Sequence, residues 1–124
     1  MSRSLLAAAL AVSVGMVMVS VPLLAHHSEA AEYDATKPVK VTGVVKKVEW
    51  TNPHIWLQVM IDDTEWSLEG GSPNSLSRQG WRSTTFKPGD EVVVRLRPMK
   101  DGTAAGQFVG AKFAGDGRTV GRWE

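Results

Sequence analysis

Cysteine is absent from all 124 residues, and its absence closes off disulfides, thiolate metal centres, thiol catalysis and a lipid-anchored amino-terminal cysteine. An excess of charge of one sign is missing too, since 14 Lys and Arg stand against 13 Asp and Glu. So balanced a chain has no basic footprint for nucleic acid or for an anionic membrane surface, and neither is expected as a partner. The sequence holds no Gly-x-Ser-x-Gly elbow, no His-Glu-x-x-His pair and no phosphate loop, which leaves enzyme readings thin. Histidine is scarce, with three in the chain, and they fall at positions 26, 27 and 54. No repeat, low-complexity tract or linker divides the sequence.

The one long apolar run lies at the amino terminus. Met1-Ser2-Arg3 is a short basic start, and from Leu5 to Leu24 only Ser13 and Ser20 are polar. A charged start, an apolar stretch and a small residue at the cut are the layout of a secretory signal peptide. Pro22 breaks the run just before Ala25, so cleavage is expected after Ala25, with a second candidate after Ala30. A retained membrane anchor is the alternative, because roughly 20 apolar residues can span a bilayer. Removal is favoured, with no stable membrane insertion afterwards. The general secretory route to the periplasm is the expected destination, as there is no twin arginine. Cleavage after Ala25 takes Arg3 away and leaves equal numbers of acidic and basic side chains. It also leaves enough chain for one small domain.

Beyond the leader the pattern is that of strands. "VKVTGVVKKVEW" (39–50) is rich in valine with interleaved polar residues. Its apolar parity changes across Gly43, which predicts a β-bulge there. "TNP" turns the chain, and "HIWLQVMID" alternates with Ile55, Leu57, Val59 and Ile61 on the core side. "TEWSLEG" returns with Trp66 and Leu68 inward. Ser72-Pro73 then reads as an N-cap followed by proline at the first helical position, opening a short helix to about Gln79 with Gly80 as its stop. "EVVVRLRP" and "GQFVGAKFA" supply two further strands, and a last short one ends near Trp123. Three strands, a helix, then two or three strands predict an all-β, OB-like barrel of five to six strands with one short helix between strands 3 and 4. The expected organisation is a signal peptide over 1–25, an arm over 26–38 and the barrel over 39–124.

The segments "AHHSEAAEYD", "KPVKVTGVVKKVEWTNPH", "EGGSPNSLSRQGW" and "FKPGDEV" resemble a widespread family of small exported proteobacterial proteins classed as a domain of unknown function. The resemblance runs from about Ala25 to Phe113, and "VEWTNPH" and "EGGSPN" are its most specific parts. It implies cleavage directly before His-His-Ser, although Leu23 departs from the usual small residue and Glu29 stands where phenylalanine is commoner. No activity, cofactor or catalytic residue comes with it.

Candidate chemistry falls on the histidines. Cleavage after Ala25 would give His26 a free α-amine beside its imidazole, and together they chelate one metal ion. His54 is the natural third nitrogen, with His27 assisting. Such tetragonal nitrogen ligation suits copper(II). Glu69, ending the third strand near His54, is a candidate ligand or an acceptor that orients the imidazole. The plain alternative is a polar amino terminus, a strand-capping histidine and a solvated carboxylate. Five tryptophans are many for this length, and Trp50 and Trp56 with Asn52 form a candidate aromatic face for a peptide, glycan or protein partner. Filling a small barrel is the competing use of those rings. The sequence thus predicts a periplasmic, non-enzymatic binding module, with copper at an amino-terminal histidine site or an unknown partner on an aromatic face.

Overall fold

The fold is taken from a computed structural model, which describes residues 33, 34, 36 and 38–124. Its strands are β1 (Val39–Glu49), β2 (Trp56–Ile61), β3 (Thr64–Glu69), β4 (Glu91–Pro98), β5 (Ala105–Phe113) and β6 (Thr119–Gly121). One helix, α1 (Pro73–Arg78), lies between β3 and β4. The sheet order is β3-β2-β1-β4-β5-β6, and β3 also pairs in parallel with β5. That extra pairing closes β1 to β5 into a barrel and leaves β6 as an added strand. The expected OB-like, all-β architecture is therefore present.

β1 makes the closure possible because it serves two neighbours. Its first half pairs with β4, from Val39 opposite Leu96 to Val44 opposite Glu91, and its second half pairs with β2, from Val44 opposite Met60 to Glu49 opposite Trp56. The bend falls at Lys46, where Val45 faces Val59 but Lys47 faces Gln58, so β1 carries one extra residue. The bulge expected at Gly43 is thus displaced by three positions. Val41 and Val45 face inward with Gly43 between them, whereas Val44 lies outside at 40% exposure. Gly43 answers a different need: a Cβ there would sit 2.6 Å from Val59 Cγ1 and 2.7 Å from the Met60 carbonyl oxygen.

The alternation from Ile55 to Val59 is realised as read, with Ile55, Leu57 and Val59 buried and Ile61 packed against the core. Leu68, Val92, Val94 and Leu96 complete the centre, each buried side chain contributing on the order of 1.5–3 kcal/mol. Trp66 sits opposite Val59 and packs against the core while partly buried. The tryptophan fully inside is Trp81, which meets Phe108 edge to face at 5.4 Å and Phe86 at 5.6 Å. α1 adds Leu76 to the buried core. Its ends follow the local chemistry: Ser72 Oγ accepts from the Ser75 N–H at 3.2 Å, Pro73 opens the first turn, and Gly80 takes φ +91° just past the C-cap.

Candidate functional site

The β2–β3 hairpin sets the site by register. Leu57 faces Leu68 on the inner side, so the next rung, Trp56 opposite Glu69, belongs to the outer face. His54 lies two residues before Trp56 and shares its side. The turn ahead of it carries a cis Asn52–Pro53 peptide, and Thr51 Oγ1 lies 3.5 Å from the His54 carbonyl. Ile55 then pairs with the Gly70-Gly71 segment, its N–H donating to the Gly71 carbonyl and its carbonyl accepting from the Gly70 N–H. This extends the hairpin backwards and holds His54 level with the end of β3.

The result is a hydrogen-bonded chain centred on one carboxylate. His54 Nδ1 is 2.5 Å from Glu69 Oε1, and the Tyr33 hydroxyl donates to Glu69 Oε2 at 2.6 Å. Both carboxylate oxygens accept, as an ionised glutamate requires. The imidazole must then donate from Nδ1, and a neutral His54 carries its lone pair on Nε2. The side chains are 35% exposed for His54 and 16% for Glu69, so the carboxylate is shielded and the ring stands at the surface.

Tyr33 reaches this point because the arm is tied to the end of β4. It bridges to Met99, and the Asp34 N–H donates to the Pro98 carbonyl at 2.9 Å. Tyr33 itself is 5% exposed. On the far side of Glu69, the parallel β3–β5 pairing places Gln107 next to it, and Gln107 Oε1 accepts from Arg97 Nη1 at 3.0 Å.

Of the residues singled out in the sequence, His54 and Glu69 are brought together. Trp56 stands on the Glu69 rung and is half-buried, Trp50 is half-buried against the core, and Asn52 is exposed in the turn. His26 and His27 lie outside the described residues. Among the described residues no group of three or more His, Asp or Glu side chains is placed to hold a metal ion. Tyr33 was not anticipated; the one signal for it was its being the sole tyrosine of the chain, set in a polar stretch with nothing apolar beside it.

Among the described residues no helix is long and apolar enough to cross a membrane. No curated protein and no solved structure matches the chain. A family model does match it, over residues 12–108, a span that takes in every histidine and Glu69. The chain belongs to this family, DUF6152, a family of unknown function.

Proposed function

We propose that the protein is an exported, non-enzymatic binding module that holds one copper ion at the mouth of its β2–β3 hairpin. The ligands in this reading are the α-amine and imidazole of His26, freed by cleavage after Ala25, and the Nε2 of His54, with His27 close at hand. The observation that supports it is the His54–Glu69 hydrogen bond at 2.5 Å. A histidine whose Nδ1–H is held by a carboxylate is oriented and fixed in the tautomer that ligates through Nε2. Tyr33 adds a second reason. With Tyr33 held on Glu69, the seven residue steps from His26 to Tyr33 can span up to roughly 25 Å, at up to 3.6 Å each, a length that allows the mature amino terminus to meet His54. Copper(II) favours such a tetragonal nitrogen set.

Native mass spectrometry of the protein recovered from the periplasm, without added metal or chelator, tests the reading. A mass beginning at His26 with one copper retained is the expected result. A mass beginning at Ala31, or one beginning at His26 that stays metal-free after copper is supplied, would overturn it. His54→Ala distinguishes a three-nitrogen site from a loose terminal chelate, because only the former loses affinity steeply.

The second reading, a peptide, glycan or protein partner on the outer face, draws on Trp56, which shares the Glu69 rung beside the exposed Asn52 turn. Under it, Trp56→Ala removes partner binding, while His26→Ala leaves it unchanged.

A further inference from the structure

A cleft of about 640 Å³ opens between the end of α1 with its following turn and the β5–β6 hairpin. That volume suits a small organic molecule. Part of its wall is aromatic, where Trp81 and Phe108 meet edge to face. Its charged lining residues are Arg97 and Arg122, and no carboxylate lines it.

Arg97 carries the argument. It stands on β4 opposite Gln107 of β5, and its Nη1 donates to the Gln107 side chain at 3.0 Å. Its Nε is buried without an acceptor. Among the described residues no carboxylate forms an ion pair with Arg97 or with Arg122. A half-buried guanidinium at the wall of a cleft, hydrogen-bonded to a neutral amide, with its Nε orphaned and no carboxylate in an ion pair with it, can take up an anion. An anion in the cleft supplies a counter-charge through charge-assisted hydrogen bonds.

We propose that this cleft binds a small organic oxyanion, its charged group taken up by Arg97 and Arg122 and its apolar body laid against Trp81 and Phe108. The inference is independent of the copper reading, since it uses neither His54 nor any residue of the amino terminus. Carboxylates and phosphates share the chemistry that the two guanidinium groups recognise.

The test is an amide and indole NMR titration of the purified protein with benzoate, phenyl phosphate and, as a neutral molecule of similar shape, benzyl alcohol. Saturable shifts of the Trp81 indole and of the Gly80 and Gly121 amides are expected with at least one of the two anions. Benzyl alcohol should bind about tenfold more weakly or worse. Whichever anion binds tighter identifies the headgroup. Arg97→Gln should weaken the anion by about tenfold, and Arg122→Gln, at an exposed position where the fold is not at stake, by about threefold or more. Should Arg97→Gln fail to fold, Arg122→Gln and the comparison of anion with alcohol decide. Equal binding of benzyl alcohol, an anion affinity untouched by the arginine substitutions that fold, or no saturable shift with either anion would each overturn the proposal.

Discussion

Replacing Tyr33 by phenylalanine takes away one oxygen and leaves the buried ring where it is. The loss falls on Glu69, whose Oε2 no longer receives the phenol proton at 2.6 Å while Oε1 keeps the His54 contact. A hydrogen bond to a charged acceptor is worth about 1.5–3 kcal/mol. Glu69 retains 16% exposure, so water recovers part of that, and a net cost of about 1–2 kcal/mol is expected. For a domain of this size, such a loss lowers the melting temperature by roughly 4–8 °C per kcal/mol. Urea unfolding is the assay, and the midpoint should fall with no change in slope, because the surface exposed on unfolding is the same. His54→Ala and the double variant then complete a cycle. Two donors that share one carboxylate should couple by at least about 0.5 kcal/mol. A Tyr33→Phe protein within about 0.3 kcal/mol of the parent, together with an additive cycle, would refute the idea of a shared carboxylate.

Gly43→Ala places a methyl group against Val59 and the Met60 carbonyl, and calorimetry should register about 1–3 kcal/mol of destabilisation. Leu68→Ala empties a fully buried position at the centre of the barrel and should cost about 2–5 kcal/mol in the same measurement. Ser72→Ala removes the cap on α1, for about 1 kcal/mol and a local gain in hydrogen exchange at Ser75. The Thr103 N–H and hydroxyl hold the Asp101 carboxylate below the usual range. The stabilisation from this depressed group is present above the unfolded-state pKa and is lost as the pH falls through the folded value. A carboxyl-detected NMR titration should show Asp101 rising toward the ordinary range in Thr103→Val.

What the sequence disclosed depended on how local the cause was. The cap, proline and stop of α1 are decided by neighbours in the chain, and Ser72, Pro73 and Gly80 stand where that chemistry puts them. The run from Ile55 to Val59 keeps its aliphatic residues, Ile55, Leu57 and Val59, on one parity with Trp56 on the other, and it is the aliphatic set that is buried. β1 has valine on both parities, at 41, 44, 45 and 48, and only the partner strands decide which are inward; the parity change therefore points to a bulge at Gly43, whereas it lies at Lys46. Trp81 sits in "WRSTTFKPGD", a stretch with no period, and its burial follows from phenylalanines at 86 and 108 that come together only in three dimensions. His54 and Glu69 were legible as neighbours because a hairpin carries one to the other. Tyr33 was not, because 36 residues separate it from Glu69 and no periodic pattern links them.

The two oxygens of Glu69 depend on parts of the chain at very different distances in sequence. His54 is 15 residues away within one hairpin, a contact available as soon as β2 and β3 zip together. Tyr33 is held by Pro98 and Met99 at the end of β4, a strand that stands beside β3 only through β5 and the parallel rungs from Ser67 to Glu69. Such distant pairings carry a larger loop-closure entropy than a hairpin does. Oε1 thus has a partner within one hairpin, and Oε2 has one only where the barrel is closed. A ligand that depends on both contacts recognises finished molecules and passes over partly folded ones, and its binding energy is added to the closed barrel alone.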